Sequence, residues 1–397
     1  MTDVAALTRA LRAALDGSGP ALRLGGEPVA AAPAARPQEN AREQDVAREG
    51  SLSSRDDLLP GAAAVITTSG STGHPKSVVL SADALLASAR ATVGLLGAGR
   101  WLLALTPTYV AGLQVLVRSV VSGTEPVVLP SIAHGGRFAA SDVIEATDAL
   151  GPGPRYTALV PTQLSDLLDA DAAAVRALAS YDAVLIGGQA LAPALAERAA
   201  AAGVRIVRTY GSSETAGGCV YDGAPLDGVR LRVEAGEVHV AGPTLADGYL
   251  GDPALTAAVF PVDADGVRWY RTGDAGSVDD GMLRITGRID NVIVSGGVNV
   301  SLDRVERAVR TVPALVAAIV VGVPDARWGE ASAIVVAGDV DEAAALAAAR
   351  ARVEAEVGGA ARPAHLLTVA EMPLLVSGKP DRRALAAHAR AALSAGT

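Results

Sequence analysis

The chain of 397 residues has a single cysteine, Cys219, which excludes an intrachain disulfide and a zinc site built from several thiolates. Cys219 reads as a small buried hydrophobe. The five histidines, His74, His134, His239, His365 and His388, are scattered without ligand spacing, and no Ser-His-Asp or Cys-His constellation emerges. Half the residues are apolar, much of that alanine, yet polar or charged residues interrupt every apolar run before the roughly 18 residues of a membrane span. Residues Met1 to Ala10 lack a basic region followed by an apolar one, so a cytoplasmic protein without membrane insertion is expected. The formal charge of −9 shows no basic excess, which argues against broad nucleic-acid binding while leaving room for a local basic pocket around a phosphorylated ligand.

What the chain does carry is a dense run of glycines and hydroxyls, Thr67-Thr68-Ser69-Gly70-Ser71-Thr72-Gly73-His74-Pro75-Lys76, between two apolar stretches. Glycines let a backbone turn sharply and approach a ligand, and the exposed N–H groups, the hydroxyls and the Lys76 ammonium then donate to anionic oxygens. The run departs from the P-loop pattern because Pro75 takes the place of the second glycine and Ser77-Val78-Val79-Leu80 reads as a strand, not as a helix start. With Ala63 to Thr68 as the preceding strand, the run is expected at a hairpin tip, and a helix begins only after Ser81 as N-cap. A Ser/Gly-rich surface turn is the plain alternative for this stretch taken alone.

The fold class expected is α/β, with three parts. Residues 1–61 form a short N-terminal segment with a helix from Val4 to Leu15, a Gly-Ser-Gly-Pro break, and a partly mobile stretch from Pro28 to Pro60 that offers little apolar area against its ordering entropy. Residues 62–289 begin with alternating strands and helices, a doubly wound arrangement. The strands are Trp101 to Leu105, Pro126 to Leu129, Tyr156 to Val160, Ala183 to Ile186 and Val204 to Arg208, and helices start at Gly112, Thr162 and Pro193. Three strand ends, at Pro161-Thr162-Gln163, Gly187-Gly188-Gln189 and Tyr210-Gly211-Ser212-Ser213-Glu214, should converge on one crevice. From about 229 to 286 helices give way to a β-rich subdomain with turns at Glu234-Ala235-Gly236 and Asp279-Asp280-Gly281. Residues 290–397 read as a small mobile α+β domain, with helices at Leu302 to Val309 and from Asp341 and Asp381, and strands at Ala317 to Val321 and Ala331 to Val336.

Thr68 to Gly73 with Pro75 and Lys76 resembles the AMP-binding signature of the adenylate-forming enzymes, the superfamily of acyl-CoA synthetases, adenylation domains and luciferases. Tyr210-Gly211-Ser212-Ser213-Glu214 resembles the second motif of that family, with Ser213 keeping the hydroxyl of the usual threonine. The resemblance implies that Tyr210 packs on adenine beside Gly188 and Gln189, and that Glu214 holds Mg²⁺, a hard cation suited to carboxylate and phosphate oxygens. Gly236-Glu237-Val238 with Gly242, Gly248 and Tyr249 resembles a motif of mostly structural role. In Tyr270-Arg271-Thr272-Gly273-Asp274 the resemblance gives Asp274 the ribose hydroxyls, although a bare turn aspartate is common. Gly287-Arg288-Ile289-Asp290 resembles the hinge motif, with Arg288 touching the nucleotide, Asp290 as pivot and Gly296-Gly297 lining the approach of a thiol. Trp328-Gly329-Glu330 is a further family-like stretch, and Ser377-Gly378-Lys379 supplies the adenylating lysine.

The implied chemistry needs no protein nucleophile. A substrate carboxylate attacks the α-phosphorus of ATP, pyrophosphate leaves, and coenzyme A then takes the acyl group after the C-terminal domain rotates about Asp290. Leu159 to Leu164, Thr108 to Val115 and Ile186 to Leu191 resemble in particular the o-succinylbenzoate:CoA ligases of menaquinone biosynthesis. Tyr109 stands where those enzymes often have histidine. The candidates for binding the acid are Tyr109, Thr162, Gln163 and Ser213, with Arg118 further off; packing or surface roles stand open for each. The segment before the phosphate loop is shorter than in the longer ligases, so a subunit contact, as in a homodimer, could cover that flank. Another acyl- or aryl-CoA ligase, a free-standing adenylation enzyme and a non-catalytic nucleotide-binding protein are the competing readings. No carrier-protein serine motif follows Lys379.

Overall fold

The computed structural model describes residues 3–24, 61–68, 76–375 and 379–395. The glycine-rich tip at residues 69–75 and the stretch from Pro28 to Pro60, expected to be mobile, therefore lie outside the described residues. The two strands flanking the tip are Ala62–Thr68 and Lys76–Ser81, paired antiparallel from Ala62 opposite Ser81 to Thr68 opposite Lys76. Ser81 caps the helix Ala82–Leu96 through its side chain, which accepts from Ala84 N.

This hairpin differs from the sequence reading in its sheet. It does not join the doubly wound sheet but forms a separate four-stranded one, with Leu22–Leu24 on one side and Gly248–Tyr249 on the other. The N-terminal helix Val4–Leu15 packs on it, and Leu11, Ile66 and Leu85 are fully buried in a shared core. Residues 3–24 are thus built into the large domain.

The larger sheet has seven strands, in the order Ala224–Pro225, Gly217–Tyr221, Ile206–Ser212, Ala183–Ile186, Arg155–Leu159, Arg100–Leu103 and Val127–Val128. The last five run parallel, as the alternating pattern implies, and the first two form an antiparallel edge. A four-stranded antiparallel sheet follows, from Arg230–Glu234 to Met282–Arg288. Its two-residue turns place Ala235 at φ 48° with Gly236 at 83°, and Asp280 at φ 50° with Gly281 at 76°, as a tight hairpin twist demands. Helices do not vanish here, however: Pro253–Val259 is helical, with Asp252 accepting from Leu255 N as its cap.

The C-terminal part has its own cores, beginning at Ile293. The helix Leu302–Val309 buries Leu302, Val305 and Val309 against a mixed sheet of Val292–Ser295, Val298–Ser301, Ile319–Asp325, Gly329–Ala337 and His365–Val369. Among the described residues no helix is long and apolar enough to cross a membrane.

Candidate active site

Three neighbouring parallel strands end at the same edge, and their ends carry the residues expected to bind ligand. After Arg155–Leu159 the chain turns at Val160 into the helix Pro161–Asp169. Gln163 fixes that turn: its Oε1 accepts from Val160 N at 3.1 Å and its Nε2 donates to Ala104 O at 3.0 Å. The amide is therefore engaged with backbone, a positioning role in place of the acid-binding role expected for it. Thr162 stays half-buried beside it. Tyr109 sits at the N-cap of the helix Val110–Val121, half-buried, its phenol pKa raised by burial.

After Ala183–Ile186, Gly187 lies where a Cβ would meet Thr209 Oγ1, and Gly188 adopts φ +81°. A Cβ on Gly188 would stand 3.2 Å from Lys379 Cε and 3.9 Å from Lys379 Nζ. The lysine of the C-terminal domain thus reaches into the crevice of the large domain. Desolvation lowers the pKa of its amine even though part of the side chain remains exposed. Gln189 is half-buried, and its Nε2 is buried without a hydrogen-bond partner among the described residues.

After Ile206–Ser212 the chain makes one turn of 3₁₀ helix, Ser213–Thr215. Gly211 is required there because a Cβ would collide with the carbonyl of Gly217 on the next strand. Ser213 is buried, while the half-buried Glu214 meets a hydroxyl from elsewhere in the chain. Tyr249 Oη donates to Glu214 Oε1 at 2.9 Å, and the Lys76 ammonium lies 5.6 Å from the centre of the Tyr249 ring. Burial and the adjacent carboxylate raise the Tyr249 pKa far above the usual phenol range, so it remains a donor. Thr68 and Lys76 are the strand ends facing the glycine-rich tip, and Thr68 Oγ1 donates to Lys76 O at 3.3 Å.

A second cluster runs from Tyr210 to Asp290. Tyr210 Oη donates to Asp274 Oδ2 at 2.6 Å, and Arg288 Nη1 donates to Asp274 Oδ1 at 3.2 Å. Arg288 also forks onto Asp290 at 2.9 and 3.0 Å. Burial raises the Asp274 pKa against the opposing pull of Tyr210 and Arg288. Glu237 holds the turn ahead of Asp274, since Gly273 N donates to its Oε1 at 3.0 Å and Arg271 Nη2 to its Oε2 at 2.7 Å.

Two groups stand apart from the crevice. Gly296 and Gly297 form the turn of the hairpin Val292–Ser295 and Val298–Ser301, and a Cβ on Gly296 would meet the Trp328 ring at 2.7 Å. Arg118 is nine residues beyond Tyr109 on a helix that rises about 1.5 Å per residue, hence about 13 Å away. It is 3% exposed, stacks on the Trp101 ring and donates from Nη2 to Tyr221 Oη. It is a core residue, which corrects its place among the acid-binding candidates. Cys219 is fully buried, its thiol pKa pushed up to about 12.

Sequence reasoning missed Tyr249 and Glu237 as site residues. Both fell in a stretch read as structural, and the contact of Tyr249 with Glu214 spans 35 positions.

The Glu214 carboxylate fits Mg²⁺. It is half-buried, and among the described residues only one of its oxygens accepts a side-chain hydrogen bond. No group of three acidic, histidine or cysteine side chains stands ready for a metal among those residues. That suits an ion that takes one or two carboxylates and completes its shell with phosphates and water.

Residues 20–250 match the model of the AMP-binding enzyme family, and residues 304–379 match that of the AMP-binding enzyme C-terminal domain. A Mycobacterium tuberculosis protein named "Probable 2-succinylbenzoate–CoA ligase" is 44% identical over 342 residues, covering 85% of this chain and 87% of that protein. The 2-succinylbenzoate–CoA ligase of Salmonella typhimurium is 33% identical over 69% of this chain and 59% of its own length. Among solved structures, the o-succinylbenzoate CoA synthetase of Bacillus subtilis in complex with its acyl-adenylate intermediate superposes with a TM-score of 0.68 at 26% identity, over 83% of this chain and 70% of that one. The two-part fold, the crevice and these likenesses agree, and the chain belongs to the AMP-binding enzyme family of acyl-CoA synthetases.

Proposed function

We propose that this chain is an AMP-forming acid–thiol ligase that adenylates o-succinylbenzoate and transfers the acyl group to coenzyme A, giving o-succinylbenzoyl-CoA for menaquinone biosynthesis. The observation that carries the reaction is Lys379 beside Gly188, at the strand ends that also carry Glu214 and Tyr210. The choice of acid is supported by the 44% identical relative of that name, matched across both domains. ATP and coenzyme A as substrates support a cytoplasmic location.

In this reading Tyr210 and the Gly188-Gln189 loop hold the adenine, and Asp274 takes the ribose, with Glu237 fixing its turn. Lys76 and the hydroxyls and amides from Thr68 to Gly73 hold the phosphates. The substrate carboxylate attacks the α-phosphorus, an oxygen–phosphorus bond forms, and pyrophosphate leaves. Lys379 neutralises charge between the two anionic reactants, which would otherwise repel. Glu214, oriented by the Tyr249 hydroxyl, would hold Mg²⁺, which when bound screens the phosphate oxygens. The thiol then attacks the acyl carbon and AMP leaves, after rotation at Asp290 has withdrawn Lys379 and presented Gly296-Gly297. Tyr109, Thr162 and Ser213 are the groups proposed to face the acid.

The test is incubation with ATP, Mg²⁺, coenzyme A and separate acids, namely o-succinylbenzoate, benzoate, 4-chlorobenzoate and a fatty acid, with thioesters detected by mass. Thioester from o-succinylbenzoate well ahead of the others is expected. Preference for another acid would keep the reaction and overturn the substrate, and no adenylate from any acid would overturn both.

A further inference from the structure

Among the described residues the Nζ of Lys379 makes no hydrogen bond and no ion pair, so its position is set by the backbone that carries it. Around the lysine, Leu374 bridges Pro380, Leu375 N donates to Lys379 O at 2.8 Å, and Asp381 N donates to Pro373 O at 2.8 Å. Asp381 then caps the helix Arg382–Ala395, accepting from Arg383 N and Ala384 N. Whatever fixes the root of that helix fixes the lysine three residues before it.

We infer that Arg382 is the positioning residue for Lys379, with the buried carboxylate of Glu306 as its anchor. This rests on the adenylating role proposed for Lys379. Arg382 Nη2 reaches Glu306 at 2.8–2.9 Å, and its Nη1 donates to Val320 O at 3.1 Å. Glu306 is only 6% exposed and is itself pinned, because Val320 N donates to its Oε2 at 2.9 Å and Arg310 Nη2 lies 2.9 Å from its Oε1. One carboxylate therefore ties the lysine-bearing segment to the edge strand Ile319–Asp325 of the domain's sheet. Charge-assisted contacts of this kind, made in a fixed fork, resist sliding better than apolar packing does.

The arrangement separates position from fold. If Arg382 loses its charged head, Glu306 keeps Arg310 and Val320 N, while Leu385 and Ala389 still bury the helix against Ile319 and Val321. The domain stays folded, but the root of the helix, and Lys379 with it, is freed. Misplacing a reacting group by about 1 Å costs on the order of 10²-fold.

The experiment compares Arg382→Met, Arg382→Lys and Lys379→Ala in the full chain, reading each half-reaction separately. Adenylation is followed as pyrophosphate release from ATP and o-succinylbenzoate, and transfer as thioester from pre-formed acyl-adenylate and coenzyme A. Arg382→Met is expected to lose about 10- to 100-fold in adenylation and to keep transfer within about twofold, with part of the loss restored in Arg382→Lys. Normal adenylation in Arg382→Met while Lys379→Ala fails would overturn the inference. So would equal loss in both halves, which means a role in folding alone. Normal adenylation in Lys379→Ala would instead remove the proposed role of the lysine, and with it the inference.

Discussion

Replacing Gly188 with alanine tests the seating of Lys379 most finely. Two effects follow, and they read out in different assays. The backbone at φ +81° suits glycine, and an alanine held there costs roughly 1–2 kcal/mol, which lowers the melting temperature of the large domain. The new methyl would also stand 3.2 Å from Lys379 Cε, inside the usual carbon–carbon contact of about 3.5–4.0 Å, with Val160 Cγ1 closing the other side at 3.8 Å. The lysine stem must yield by a few tenths of an ångström. Scaling from about 10²-fold per ångström of misplacement, adenylation should fall roughly three- to tenfold. Transfer from pre-formed acyl-adenylate should not change, because the role proposed for Lys379 is confined to the first half. The loss should disappear in a Lys379→Ala background, where the methyl meets nothing that matters, so the two changes are non-additive. A drop of the same size with and without Lys379 would refute the contact as its cause.

Three further outcomes are expected. Tyr249→Phe keeps the ring beside Lys76 but removes the donor to Glu214, a charge-assisted bond of about 1.5–3 kcal/mol; the Mg²⁺ concentration for half-maximal adenylation should rise about tenfold, with weaker Mn²⁺ binding by electron paramagnetic resonance. An unchanged metal requirement would dismiss that link. Arg118→Met exchanges a buried cation that lacks a carboxylate partner among the described residues for an apolar side chain, so stability should hold or rise and the thioester yield should not change, as melting and the o-succinylbenzoate assay would show. In the proposed role Lys379 acts as the ammonium, and burial lowers its pKa, so kcat/KM for ATP in adenylation should fall on the alkaline side at a lower pH than an ordinary lysine would give, a limb absent from Lys379→Ala.

How far the sequence speaks depends on what each element needs. The strand Ala183–Ile186 and the helix Leu302–Val309 were legible residue for residue, because Val, Leu and Ile mark a buried face clearly. Helices Ala140–Ala149 and Ala172–Ala179 passed unnoticed, since alanine on both faces blunts the contrast that periodicity relies on. Pro253–Val259 was lost among turn signals. The separate sheet built on the hairpin Ala62–Thr68 and Lys76–Ser81 escaped too, because its partners Leu22–Leu24 and Gly248–Tyr249 are short and far apart in sequence.

The site divides in the same way. Glu214, Asp274, Arg288 and Lys379 belong to contiguous motifs, and the structure places them with the partners described above. Glu306 and Arg382 are 76 positions apart, and no local pattern announces such a pair. Gln163 and Arg118 show the opposite error. Each is a plausible donor by residue type, and only the fold reveals that the first secures a loop and the second a core.

The central claim is that the acid's own carboxylate attacks the α-phosphorus. It can be followed atom by atom by supplying o-succinylbenzoate with ¹⁸O in its carboxylates, together with ATP, Mg²⁺ and coenzyme A, and analysing the products of one turnover by mass. The account predicts ¹⁸O in AMP, carried over through the bridging oxygen of the acyl-adenylate, with unlabelled pyrophosphate. Label in inorganic phosphate with ADP as the nucleotide product would mean attack at the terminal phosphorus, and would contradict it.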